Sequence, residues 1–127
     1  VGVAPGTPLF AIRVLDAKGN GDFAGVMRGL EWVQKYNAKV ANESGKIRVV
    51  NLSLGGDSYS VTDALRLRDD CKGGTSLHKA FCLFTRDRVN GAVVVVAANN
   101  ENQDLEHTVP AAFPEVLAVT AMAGERH

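Results

Sequence analysis

Apolar and polar positions fall in blocks along this chain, and the period within each block predicts its element. Leu9 to Val14 is a short apolar run with β-branched Ile12 and Val14, closed by the polar, glycine-bearing turn from Asp16 to Gly21, and predicts a buried strand. From Asp22 the period changes. Phe23, Val26, Met27, Leu30, Trp32 and Val33 recur at spacings of three and four, predicting an amphipathic helix to about Tyr36 with Asp22 as its N-cap. Asn37 to Lys46 is polar and reads as a surface loop, and Ile47 to Leu52 as a second strand. Gly55 to Gly74, with its charged stretch from Arg66 to Lys72, reads as an exposed excursion. The helical period returns from Ser76 to about Arg88 through Leu77, Phe81 and Phe84, with Thr75 or Ser76 as N-cap and Asn90-Gly91 as a stop. Val93 to Ala97 is apolar on both faces, as a central parallel strand covered by helices would be, and Val116 to Ala121 is a shorter strand of the same kind.

Strand, helix, strand, helix, strand, loop, strand implies right-handed βαβ units. The expected fold is α/β, an open parallel sheet with helices on both faces, within a single domain. A length of 127 residues suits one core and not two. Lys and Arg number 14, and so do Asp and Glu; zero net charge gives no basic stripe for phosphates, so neither nucleic acid nor an anionic membrane is an expected partner. The longest apolar run, Ala92 to Ala98, is far short of the roughly 20 residues that span a bilayer. The chain begins at Val1 rather than Met and meets core-like residues almost at once, so it reads as the middle of something longer.

In an open parallel sheet, ligands bind beyond the carboxyl ends of the strands. Three segments qualify: Gly19, Asn20 and Gly21; Ser53, Leu54, Gly55 and Gly56; and Ala98, Asn99, Asn100 and Glu101. Each alone is ordinary turn chemistry. Gly19, Gly21 and Ala24 also fit a loose Gly-x-Gly-x-x-Ala fingerprint, so a nucleotide-binding domain is one alternative, although the first glycine lies several residues beyond its strand.

Taken in order, the blocks Gly2 to Pro5, Ala11 to Leu15, Gly29 to Trp32, Asn51 to Gly56, Val93 to Glu101 and Pro110 to Val119 resemble the middle of a subtilisin-like serine protease, a subtilase. The resemblance implies a subtilisin-like three-layer fold, incomplete here, with residues 37–46 and 57–72 as insertions. It implies that Asn100 is the oxyanion-hole donor, a neutral amide aimed where negative charge develops. Ser53, Leu54 and Gly55 would pair with an extended peptide substrate and form one wall of the P1 pocket, with Ala97, Ala98 and Asn99 forming the other. Gly19, Asn20 and Gly21 would be the opposing pairing edge, and Phe23, Val26 and Leu54 would line the P4 pocket. Pro110 would follow a cis peptide bond. The family usually has glycine where this chain has Asn99 and Asn102; asparagine tolerates left-handed backbone, but the floor of the P1 pocket is altered.

The family's aspartate and histidine precede the Gly2 block, and its serine follows the Val116 to Ala121 strand, so the triad lies outside these residues and the chain alone is expected to be inactive. Gly74, Thr75 and Ser76 imitate the start of the nucleophile motif at the wrong place in the order, and a helix N-cap accounts for them better. His78 then reads as a helix-surface residue, His107 as a loop residue and His127 as a terminus. No His, Cys and carboxylate grouping has metal-ligand spacing, so no metal or other cofactor is expected; calcium in a full-length enzyme has no assignable ligands here. Related subtilases with a similar Leu-His-Lys-Ala-Phe-Cys stretch look like secreted enzymes, which favours a Cys71–Cys82 disulfide and an extracellular location over two buried thiols. A non-catalytic peptide-binding module on the same scaffold is the second alternative, and exposed strand edges favour self-association.

Overall fold

A computed structural model describes residues 2–57, 71–72, 75–100 and 105–121. Helix α1, Phe23–Lys39, begins where Asp22 Oδ1 accepts the Gly25 N–H at 2.6 Å, supplying one of the four bonds that a helix start leaves open. Its buried stripe is Val26, Leu30, Val33 and Asn37, and an exposed Glu31–Lys35 pair sits on the outer face. The helix runs three residues past Tyr36 because Asn37 belongs to the stripe. Asn37 is fully buried, so this residue is core and not surface loop. Its amide donates to the carbonyls of Ile47 and Asn90 at 2.8 and 2.9 Å, and its Oδ1 accepts the Ile47 N–H at 2.7 Å. One side chain thereby joins the end of α1 to the entries of two strands.

Those strands are β1, Val49–Leu52, and β3, Val93–Ala97, which pair in parallel with Val49 opposite Val93 and Leu52 opposite Val96. A short strand β5, Leu117–Val119, pairs in parallel along the other side of β3, giving the order β1-β3-β5. Between them, β2 (Gly56–Asp57) and β4 (Thr108–Val109) form a two-residue antiparallel ribbon. Helix α2, Ser76–Arg86, starts on Thr75, whose hydroxyl accepts the His78 N–H at 3.2 Å. The Gly74-Thr75-Ser76 imitation of a nucleophile motif is therefore a helix cap at Thr75; Gly74 lies outside the described residues.

The core forms where α1 and α2 pack together over one face of the sheet. Val26, Leu30 and Val33 from α1 meet Leu77, Phe81 and Phe84 from α2, Leu52, Val94 and Val96 from the sheet, and Val109, Ala111 and Phe113 from the segment before β5. The described residues form an open α/β arrangement, a parallel sheet with two helices. The expectation of helices on both faces is met on one of them among the described residues; on the other face Val49, Val93, Leu117 and Val119 are each more than half exposed.

Leu9 to Val14 forms no strand. The segment has no ladder partner among the described residues, and Leu9 is 92% exposed and Phe10 47%. It is held instead against α1, with Phe10 on Tyr36 at 5.0 Å between ring centroids and Ile12 and Val14 over Gly29, where a Cβ would meet Val14 Cγ1 at 3.2 Å. β-branched residues favour a strand only where a neighbour supplies the hydrogen bonds.

Of the two expected insertions, residues 37–46 comprise the last turn of α1 and a 3-10 turn at Glu43–Gly45 capped by Asn42. Residues 58–70 lie outside the described residues. Cys71 and Cys82 form a disulfide with Cα atoms 5.6 Å apart, tying the end of that stretch to the middle of α2.

Candidate functional site

The carboxyl ends of β1 and β3 and the β2–β4 ribbon enclose a cavity of about 340 Å³. Ser53, Leu54, Gly55, Gly56 and Asp57 line it from the β1–β2 segment, Ala97, Asn99 and Asn100 from the end of β3, and Thr108 from β4. The parallel pairing of β1 with β3 places both strand ends at the same edge, so two segments more than 40 residues apart in sequence face each other. Gly55 and Gly56 let the backbone of the first wall come close to its neighbours. A Cβ on Gly56 would stand 3.0 Å from the Phe23 ring, and one on Gly55 3.4 Å from the Val109 carbonyl oxygen.

The second wall turns sharply after β3. Asn99 has φ +85°, a left-handed conformation that asparagine accepts more readily than most residues. Its Oδ1 accepts the Asn100 N–H at 2.6 Å, and its Nδ2 donates to Thr108 Oγ1 at 3.2 Å. Asn100 itself is exposed at the rim. Ala98, 7% exposed, is drawn into the core side of the strand, and its N–H donates to the Val119 carbonyl at 3.0 Å. Of the three residues expected in this wall, Ala97 and Asn99 line the cavity and Ala98 supports it from behind. Glu101 and Asn102 lie outside the described residues. Gly56, one of the expected strand-end residues, also lines the cavity, as do Thr108 and Asp57, which sequence reasoning missed. Thr108 had one available signal, its place just ahead of the Val109-Pro110 bond, which is cis.

Gly19, Asn20 and Gly21 do not share this cavity. They close a tight loop in which Asp16 Oδ1 accepts the N–H groups of Lys18 and Asn20 at 2.8 and 2.9 Å, and Asp16 N–H donates to the Asn20 carbonyl at 2.7 Å. Gly21 is a glycine of necessity, since a Cβ would lie 2.6 Å from the Val14 carbonyl oxygen. Asn20 and Gly21 line a separate, open depression of about 640 Å³ between α1 and the Ile12 to Asp16 segment. Of the residues expected at the P4 position, Phe23 and Leu54 are partly buried against the core, while Val26 is 3% exposed and offers a ligand almost no surface.

On α2, outside the cavity lining, His78 is 1% exposed and so is not a helix-surface residue. Its Nε2 lies 3.0 Å from Glu115 Oε2, and its ring sits 5.0 Å from that of Phe113. His107 closes a 3-10 turn, Leu105–His107, and His127 lies outside the described residues. Among the described residues no group of three or more His, Cys, Asp and Glu side chains is placed to hold a metal ion. Among the same residues no helix is long and apolar enough to cross a membrane.

This arrangement can hold an extended chain between two strand-end walls and present an amide at their rim. Comparison with known proteins gives the scaffold its family. The subtilase family matches residues 1–126. A subtilisin-like protease 6 of Trichophyton schoenleinii is 34% identical over 124 residues, and one of Arthroderma gypseum is 32% identical over 123. Each alignment covers 94% of this chain and 26% of the relative, so the chain spans about a quarter of the length of these proteins. With the strand-end cleft, the ordered motif blocks and a family match across nearly every residue, the chain belongs to the subtilase family.

Proposed function

We propose that these residues are the central part of a secreted serine endopeptidase domain, supplying the oxyanion donor and cleft walls for peptide-bond hydrolysis. The observation that carries this reading is the position of Asn100, at the rim of a cavity whose far wall is Ser53 to Gly55. An extended peptide laid along Ser53 to Gly55 exchanges main-chain hydrogen bonds with that segment, placing its scissile carbonyl toward β3. When a serine attacks the carbonyl carbon, the oxygen becomes an anion, and the Asn100 side-chain N–H donates to it. A fixed neutral donor stabilises the developing charge without having to reorganise. The nucleophile, its histidine base and the aspartate that orients the base lie outside these residues in this reading. The Cys71–Cys82 disulfide supports an oxidising, extracellular location.

The test uses the full-length gene product. A fluorophosphonate probe is expected to label one serine outside residues 1–127, and peptide hydrolysis is expected to disappear on labelling. The isolated 127 residues should show no serine-dependent turnover. Absence of labelling in an intact, folded parent contradicts the protease and favours a non-catalytic peptide-binding module. Because β1 and β5 each pair on one side only among the described residues, the isolated chain is also expected to self-associate. Sedimentation of a concentration-independent monomer would contradict that part.

A further inference from the structure

Asn99 is fastened at both ends of its amide, and the fastening links two residues that line the cavity. Its Oδ1 holds the Asn100 N–H at 2.6 Å and its Nδ2 reaches Thr108 Oγ1 at 3.2 Å. Thr108 is 3% exposed, fixed in β4 by the pairing of that strand with Gly56 and Asp57. The amide therefore spans from the end of β3 to a buried hydroxyl on the opposite ribbon, and both residues line the same cavity. Swinging it aside breaks two hydrogen bonds and leaves the Thr108 hydroxyl without that donor, a cost a ligand side chain must offset before it can enter more deeply. The Asn99 amide and the Thr108 hydroxyl thus put a linked pair of polar groups in a lining whose apolar side chains are Leu54 and Ala97.

From this we infer that Asn99 sets the depth of the pocket receiving the P1 side chain, so that the protein cleaves after small residues, alanine and serine, in preference to aromatic ones. The inference rests on the reading of the cleft as the peptide site of a hydrolase, and it names the substrate class of that site. A small side chain fits in front of the amide and leaves both hydrogen bonds in place. Serine adds a hydroxyl within a polar pocket. A phenylalanine ring has to displace the amide and bury its edge against groups that lose their partners.

The backbone makes the deciding variant available. At φ +85°, glycine is better accommodated than asparagine, so Asn99→Gly removes the side chain without backbone strain. With the full-length protein and a peptide library varied at P1, the wild type is expected to show kcat/KM at least tenfold higher for alanine than for phenylalanine. Asn99→Gly is expected to raise the phenylalanine-to-alanine ratio at least tenfold. If the glycine variant turns over no peptide, Asn99→Ser, which shortens the side chain and keeps an oxygen near the Asn100 N–H, takes its place in the comparison with the same expected direction. A ratio unaffected by residue 99, or a wild type that prefers phenylalanine, overturns the inference while leaving the hydrolase reading standing. A wild type that hydrolyses no member of the library overturns both.

Discussion

His78 and Glu115 form a buried pair 37 residues apart in sequence, with Nε2 3.2 and 3.0 Å from the two carboxylate oxygens. The contact ties the first turn of α2 to the turn that leads into β5. The ring is otherwise enclosed, packed on Phe113, and Nδ1 has no hydrogen-bond partner among the described residues. The pair thus holds α2 to the turn before β5, at the expense of one unsatisfied nitrogen.

Removing one partner should cost more than removing both. Glu115→Leu leaves a fully buried imidazole with neither nitrogen paired, and a loss of about 2–4 kcal/mol is expected, while His78→Leu with Glu115→Leu should cost less than Glu115→Leu alone. A double-mutant cycle by urea unfolding reads the coupling, expected at about 1–3 kcal/mol. Additive single and double changes would show that the contact contributes nothing.

Asn37 provides a second structural test. Asn37→Ala strands the Ile47 N–H and the carbonyls of Ile47 and Asn90, and should destabilise by about 2–4 kcal/mol. Asn37→Asp is expected to be at least as severe, because it turns a donor into an acceptor facing two carbonyl oxygens. Equal stability of the aspartate variant and the wild type, by the same unfolding measurement, would contradict the assignment.

Asn37 and His78 are buried where the local sequence carries two opposed signals. Asn37 continues the stripe Val26, Leu30, Val33 at helical spacing, and His78 lies three and four residues before Phe81 and Cys82, so periodicity placed both on buried faces. Polarity argued the other way, and the partners that resolve the conflict, two backbone carbonyls and Glu115, are distant in sequence and invisible to a local reading. By contrast, β3 and both helices were legible because a valine run and a repeat of three and four residues carry their own signal. Leu9 to Val14 shows the limit, since apolar β-branched content does not supply a ladder partner. At the cleft, the walls at Ser53 to Gly55 and Ala97 to Asn100 came from motif order. Thr108 and Asp57 reach the cavity only through the β2–β4 pairing, which no sequence period announces.

Opening the disulfide should loosen the stretch before α2. In the chain-entropy description, a loop of this size contributes about 3 kcal/mol, so Cys71→Ser with Cys82→Ser should lower the unfolding midpoint correspondingly. Reductant should lower the wild-type midpoint and leave the double variant unchanged. An equal response of both would mean that the bridge is not the source.

Asp87 gives a pH dependence of known sign. Its carboxylate accepts the backbone N–H of Asn90 at 2.9 Å and that of Val89 at 3.0 Å, along with the Gln34 amide, and these bonds, the one from Asn90 foremost, hold its pKa below the usual carboxylate range. A lowered folded-state pKa stabilises the folded chain at every pH above the ordinary carboxylate value. That contribution is lost as pH falls through the lower folded value. The stability difference between wild type and Asp87→Ala, expected at about 1 kcal/mol, should hold from neutral pH to about 4 and narrow below it. A difference that grows on acidification would reverse the sign and contradict the assignment.

Asn100 is the residue whose chemistry decides the hydrolase reading. In the full-length protein, Asn100→Ala and Asn100→Leu should lower kcat for a good peptide substrate with little change in KM, because the donor acts on charge that appears only in the transition state. Removing the equivalent donor from a subtilisin sets the scale at about 100- to 1000-fold. Fluorophosphonate labelling and the unfolding midpoint of each variant confirm that the protein is intact. A drop of that size in kcat supports Asn100 as the oxyanion donor at the rim of the cleft; unchanged kcat in a folded, labelled variant contradicts it.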